Sequence, residues 1–226
     1  GVHAHIGSQL TKISPFVDSL TKVATLIQTL KIKGIPIQYL NIGGGLGITY
    51  SDEKPPHPTE LAEAITPLLK QTQCEIVMEP GRVIVGNAGI LLTRVLYIKD
   101  NGTKKFVIVD AAMNDLLRPS LYEAHHDILP VNQVPNAKED VFDVVGPVCE
   151  SGDFLAQNRT MPTVKEGDLL SVMSAGAYAF TMASNYNSRP RVPEVLVKDR
   201  ESFVIRERES YDDLIRGEHI PDFLNV

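Results

Sequence analysis

The feature that most limits how this chain can fold is a layout used three times in its first 82 residues: a short strand-like run, alternating apolar and polar in the first case, that stops at a glycine-rich or polar loop. The runs are residues 2–6, 37–42 and 74–78. They stop at Gly7-Ser8, Gly43-Gly44-Gly45 and Glu79-Pro80-Gly81-Arg82. Stretches with helical spacing separate them. Phe16, Val17, Leu20, Val23, Ala24, Ile27 and Leu30 recur every three or four residues within 14–33, which lines up one apolar face. Ser14-Pro15 reads as an N-cap followed by proline at the first helical position, and a second helix is expected over 59–70 with Thr59 as its N-cap. Strand, polar loop and helix in alternation signal a parallel α/β architecture.

The pattern changes near residues 86–88. Short β-branched segments at 89–98, 105–109, 141–145 and 164–173 are divided by turns such as Asp100-Asn101-Gly102 and Glu166-Gly167-Asp168. Two domains are therefore expected: α/β over 1–87, and a mostly antiparallel β-domain over 88–226 with a short helix at 210–216. With 43% hydrophobic and 22% charged residues, the chain can bury a sizeable core. A net charge of −6 without a Lys/Arg-rich run speaks against nucleic acid and anionic membranes as partners. No apolar run approaches the ~20 residues that span a bilayer. Cys74 and Cys149 lack paired metal-ligand spacing and suit a reducing compartment. The first residue is Gly1, so the natural N-terminus is expected to lie elsewhere and no targeting segment can be judged.

Ligands of parallel α/β proteins sit at the carboxyl ends of the strands, which here are the three loops. Three glycines in a row let backbone N–H groups approach phosphate oxygens, although a plain tight turn has the same composition. A dinucleotide fingerprint fails on spacing, because Ile48 stands where the third glycine belongs. Glu79, after an apolar run, needs a cationic partner. That partner is either Arg82, in a structural pair, or a protonated ring nitrogen of a cofactor. His3 and His5 share a strand face but have no third ligand nearby, so no metal is expected. In Cys149-Glu150-Ser151-Gly152-Asp153 a thiol stands among carboxylates, which suits a proton donor better than a nucleophile; the plain alternative is a packing thiol, and Cys74 has only that reading. Arg118 and Tyr122 are one helical turn apart, and a guanidinium with a phenol suits a carboxylate ligand or a surface pair.

In this order, HIGSQ (5–9), GGGLG (43–47), EPGR (79–82), LRPSLY (117–122), CESGD (149–153) and AGAY (175–178) resemble the alanine-racemase-like, fold type III decarboxylases that use pyridoxal 5'-phosphate. With SNYNSRPRVPEVLV (184–197), the wording is most similar to the branch that acts on meso-2,6-diaminopimelate to give L-lysine and CO2. Ornithine, arginine and carboxynorspermidine decarboxylases are the alternatives, as is a non-catalytic pyridoxal-phosphate-binding fragment. The resemblance implies a (β/α)8 TIM barrel followed by a β-domain, and residues 1–87 would be only the C-terminal portion of that barrel, since a whole one takes about 250 residues. It also implies that the cofactor-anchoring lysine lies upstream of HIGSQ, so that the chain as given is inactive by itself. The cofactor would be held by His5, Ser8, Gly44, Gly45, Glu79, Gly81, Arg82 and Tyr178. The amino-acid substrate would be held by Arg82, Arg118, Tyr122, Glu150 and Tyr178. Cys149, Glu79 and His5 would be the catalytic groups. A cytoplasmic homodimer, with the CESGD loop crossing between subunits, completes the implied picture.

Overall fold

A computed structural model describes residues 1–224, which divide into two units. The first comprises Gly1–Leu91 with two returning segments, His125–Ile128 and Val172–Tyr178. It contains β1 (Val2–His3), α1 (Ser14–Ile32), β2 (Tyr39–Asn41), α2 (Pro58–Thr72), β3 (Glu75–Val77) and α3 (Arg82–Val85). The strands are shorter than the runs that announced them. They form a parallel sheet in the order β1-β2-β3, as the alternation of strand and helix requires. Its register sets Leu40 beside both Val2 and Ile76, and Asn41 beside both His3 and Val77. All three loops therefore leave the sheet at one edge.

The apolar face of α1 buries Phe16, Leu20, Ala24 and Ile27, and that of α2 buries Leu61 and Ile65. Together with Leu40 and Leu46 they form the core of this unit. Both helix starts differ from expectation. Ser14 is already helical and makes no cap; Ile13 precedes it, and its carbonyl accepts from Phe16 and Val17. In α2 the cap is His57, two residues before Thr59. Its Nδ1 accepts from Thr59 N–H, and Glu60 returns a carboxylate to the His57 N–H at 2.6 Å. A ring nitrogen has replaced the usual hydroxyl or carboxylate of a capping box.

The second unit comprises Leu92–Ala124, Leu129–Ser171 and the segment from Ala179 onward. Its main sheet joins β4 (Leu91–Asp100), β5 (Lys105–Val109), β6 (Ile128–Pro130), β7 (Glu139–Val145), β8 (Phe154–Pro162) and β9 (Leu169–Val172) in the order β6-β9-β4-β5-β7-β8. β4 and β5 form the expected hairpin across Asp100-Asn101-Gly102, with Gly102 at φ +86° and its N–H on the Asp100 carboxylate. β5 and β7 run parallel, whereas β7 and β8 are antiparallel. The sheet is thus mixed; two of these three pairings are antiparallel, in keeping with the mostly antiparallel expectation, and β5–β7 is the parallel one. Between β7 and β8 the register shifts at Phe142/Val144. There the buried Asp143 accepts from the N–H of Asn158, at φ +47°, and pairs with Lys104 at 2.6 Å. Val107, Val109, Val144, Leu155 and Leu170 fill the core. The unit also holds α4 (Arg118–Tyr122), a two-stranded hairpin of β10 (Glu194–Lys198) and β11 (Glu201–Arg206), and α5 (Tyr211–Leu214), capped by Ser210.

Glu209, after β11, accepts from the Arg191 guanidinium, from the Arg191 N–H and from Asn185. The Arg191 side chain and the backbone N–H beside the carboxyl hold it down at about 2. Such a depressed carboxyl stabilises the fold fully above its unfolded value, and the contribution fades as pH falls toward the folded value. We expect Glu209→Gln to cost about 1 kcal/mol at neutral pH, the scale of a partly solvated ion pair. The gap between variant and wild-type urea midpoints should close as pH falls from about 4.5 toward 2. A gap that stays constant with pH would show that the carboxylate charge contributes nothing.

Candidate functional site

The three loop ends meet in the first unit through direct backbone packing. Glu79 N–H donates to the Gly43 carbonyl at 2.8 Å, one step beyond the last strand pair. A Cβ on Gly44 would collide with the Glu79 carbonyl oxygen, and one on Gly45 with the Gly7 carbonyl oxygen. Gly43 and Gly45 also adopt φ of +67° and +100°, values that side chains strongly resist. The glycines are therefore required by the close approach of three chain segments.

That approach sets His5, the glycines and Glu79 together. His5 Nδ1 accepts from the Gly44 N–H at 3.3 Å. The Glu79 carboxylate accepts from Asn41 Nδ2 at 2.6 Å and lies 3.7 Å from His3 Nε2. The Asn41 Oδ1 in turn accepts from the Gly43 N–H at 2.8 Å. Asn41 is thus a joint between carboxylate and glycine turn that the sequence reading overlooked. Its signal was available: an Asn two residues before a glycine closes an Asx turn.

The partner expected for Glu79 in the plain reading, Arg82, is engaged elsewhere. Its Nη atoms donate to Tyr50 Oη at 2.5 Å and to Ser8 Oγ at 3.0 Å, and its Cζ lies 4.8 Å from the centre of the Tyr178 ring. The Arg82 Nε is buried without a hydrogen-bond partner among the described residues. Gly81 underlies the Tyr178 hydroxyl, since a Cβ there would lie 3.5 Å from it. Hence His5, Ser8, Gly44, Gly45, Glu79, Gly81, Arg82 and Tyr178 all fall in one unit, Tyr178 through the returning segment Val172–Tyr178. Tyr50 joins them without having been singled out.

The remaining candidates lie in the second unit. Arg118 begins α4 and is buried, while Tyr122 at its end is exposed, so one helical turn separates them but not one environment. Ser120 of the same helix donates to the Gly152 carbonyl at 2.5 Å. The 149–153 loop is held from below by Asp153, whose carboxylate accepts from Met113 N–H at 2.7 Å and Val148 N–H at 2.6 Å. Burial pushes the Asp153 carboxyl up, and those two N–H groups pull against it. Cys149 and Glu150 are exposed on the loop so anchored. Glu150 accepts from the Tyr186 hydroxyl at 3.2 Å and thereby pushes the phenol up. The Tyr186 segment is tied down by Arg189, which donates to Asn114 Oδ1 at 3.0 Å and to the Asp110 carbonyl at 2.6 Å. Asp153 and Arg189 were visible as letters, but only long-range contacts give them these tasks.

Against known proteins, the model of the C-terminal sheet domain of pyridoxal-dependent decarboxylases matches residues 16–176. The diaminopimelate decarboxylase of Aquifex aeolicus (strain VF5) is 52% identical over 216 residues, which is 95% of this chain and 51% of that protein. The crystal structure of diaminopimelate decarboxylase from M. jannaschii in co-complex with L-lysine has a TM-score of 0.92 at 43% identity, over 99% of this chain and 52% of that one. The Helicobacter pylori enzyme complexed with L-lysine gives 0.87 at 43% identity, over 95% and 53%. The chain spans about half the length of the curated relatives it matches. No helix among the described residues is long and apolar enough to cross a membrane. The family model covers most of the chain and takes in the glycine turn, the EPGR loop and the CESGD loop, so this chain belongs to the pyridoxal-dependent decarboxylases.

Proposed function

We propose that this chain serves the decarboxylation of meso-2,6-diaminopimelate to L-lysine and CO2, with pyridoxal 5'-phosphate as cofactor. The observation that carries the reading is the convergence of His5, the glycine turn and Glu79 at one edge of a parallel sheet. The 52% identity to a diaminopimelate decarboxylase narrows the substrate. The three parallel strands with their helices are read as a portion of a (β/α)8 barrel spanning 1–87, and residues 88–226 as the β-domain. The protein is read as a cytoplasmic homodimer that needs neither metal nor nucleic acid nor membrane.

The residues present fit the cofactor. A glycine turn with no room for a Cβ and a buried guanidinium nitrogen without a hydrogen-bond partner among the described residues supply donors, and a carboxylate held by Asn41 supplies an acceptor, as a phosphorylated heteroaromatic ring with a protonated nitrogen requires. Gly45 would offer its backbone N–H to the phosphate, and Gly44 would do so on giving up its 3.3 Å bond to His5 Nδ1, with Ser8 and Gly81 beside the cofactor. His5 would lie on the ring face. Glu79 would keep the ring nitrogen protonated, and Asn41 keeps Glu79 in place. Pyridoxal phosphate supplies an electron sink for the pair released when the bond from Cα to the carboxylate breaks.

The other residues act on the substrate. Arg82 and Tyr178 border both cofactor and amino acid. Arg118 presents a planar fork and Tyr122 a hydroxyl to a carboxylate, and Glu150 faces the distal ammonium. Cys149, on the loop that the resemblance assigns to the partner subunit, returns a proton to Cα.

Three measurements test this reading. The full-length gene product, supplied with pyridoxal phosphate, should release CO2 from meso-diaminopimelate and form L-lysine, and should act on ornithine and arginine far more slowly; a reversed preference would overturn the substrate. Arg118→Lys should raise the KM for diaminopimelate about tenfold, because it keeps the charge but loses the fork. An unchanged KM would remove Arg118 from the substrate. Cys149→Ala should retain cofactor binding and lose about a hundredfold to ten-thousandfold in turnover, the usual cost of removing a general acid. Near-normal turnover would leave Cys149 a packing residue.

A further inference from the structure

We infer that Tyr50, backed by His126, is the positioning residue for the Arg82 guanidinium; this rests on the proposed place of Arg82 between cofactor and substrate. Arginine holds five donors on a rigid fork. The described bonds of Arg82 come only from its Nη atoms, to Tyr50 and Ser8, while Nε has no hydrogen-bond partner among the described residues. The hydrogen bonds that set the angle of the fork are therefore those to two hydroxyls, beside ring contacts with Tyr50 and Tyr178. Ser8 is exposed, whereas Tyr50 is 6% exposed and offers the shorter bond, 2.5 Å against 3.0 Å.

Tyr50 is itself fixed from behind. The His126 ring meets it edge-on, with centroids 5.2 Å apart and planes at 79°, a favoured aromatic arrangement. His126 is fully buried, and its Nδ1 lies 2.8 Å from the Met173 carbonyl oxygen. The neighbouring Thr49 carbonyl accepts from Asn87 Nδ2 at 2.8 Å and from Ser174 Oγ at 3.2 Å. Both segments that return to this unit, His125–Ile128 and Val172–Tyr178, thus bear on the short stretch after the glycine turn. The second also carries Tyr178, whose ring centre lies 4.8 Å from the Arg82 Cζ. A buried histidine holds a buried tyrosine, and the tyrosine aims the arginine. Neither Tyr50 nor His126 needs to touch the ligand to do this.

The test uses the full-length gene product. Tyr50→Phe removes one oxygen and keeps the ring that His126 packs on. It should raise the KM for diaminopimelate about tenfold or more, since a hydrogen bond to a charged group is lost, and change kcat less than about threefold. His126→Phe should move KM in the same direction. Combined with Arg82→Lys, Tyr50→Phe should add no further loss, because the group it positions has gone. Relative to the cofactor-free wild type, the cofactor-free Tyr50→Phe crystal structure should show the guanidinium displaced from Ser8 and Tyr178, with the two melting temperatures within a few degrees. An unmoved guanidinium, an unchanged KM in both variants, or full additivity with Arg82→Lys would overturn the inference. If the wild-type protein fails to decarboxylate diaminopimelate, the functional reading falls, while the cofactor-free structures still decide the role of Tyr50.

Discussion

The first unit depends on one steric condition: backbone must touch backbone where the three parallel strands end. Gly44 lies against the Glu79 carbonyl and Gly45 against that of Gly7, and neither contact leaves room for a single carbon. Positive φ at Gly43 and Gly45 turns the chain sharply enough to bring this about. Three loops from distant parts of the sequence consequently share a space that three ordinary loops could not. The polar groups follow from that proximity. The Gly44 N–H finds His5, the Gly43 N–H finds Asn41, and the free arm of Asn41 finds Glu79. A carboxylate exposed at a strand end would sample many rotamers; one already bonded at 2.6 Å to a side chain that is itself bonded to the turn has far fewer to lose on binding a ligand.

The second unit positions its loops by another means, buried carboxylates that accept backbone N–H groups. Asp153 gathers Met113 and Val148, Asp115 takes Ala112, and Asp143 takes Asn158 at the register shift. Burial pushes the carboxyls of Asp153 and Asp115 up, so the charged form is costly and is kept by the bonds that oppose the shift. Carboxylates so placed act as rigid pegs. Cys149 and Glu150, the groups beside Asp153, remain exposed on the loop that it anchors through Val148 and Met113. A scaffold that is stiff beneath and open at the tip is the usual setting for residues that act on ligands.

Local physical chemistry in the sequence was enough for much of this. The helical spacing of Phe16, Leu20, Ala24 and Ile27 is the buried face of α1, and Asp100-Asn101-Gly102 is the hairpin turn, because both depend on residues close in the chain. Caps are less legible. Ser14 and Thr59 have the favoured side chains, yet Ile13 and His57 occupy the positions, since the path into each helix is set by packing as well as by propensity. β8 has no clear sequence signal: its buried residues, Leu155, Ala156 and Met161, do not alternate cleanly where the register shifts. The parallel pairing of β5 with β7 has no local signal at all, because the two are separated by α4 and a long connection.

By itself, then, the sequence determined the kinds of element and the loops that bear chemistry: three strand ends with glycine, carboxylate and histidine, and an exposed loop with a thiol and acids. It could do so because glycine, proline and charge act where they stand. Only the tertiary structure decided which of these groups meet. It turned Arg82 away from Glu79 toward Tyr50, Ser8 and Tyr178, gave Glu79 to Asn41, and drew His126 and Tyr178 back into the first unit across gaps of dozens of residues. The reason is that such partners are chosen by competition for space and hydrogen bonds within a packed interior, and that competition has no counterpart in residues adjacent along the chain.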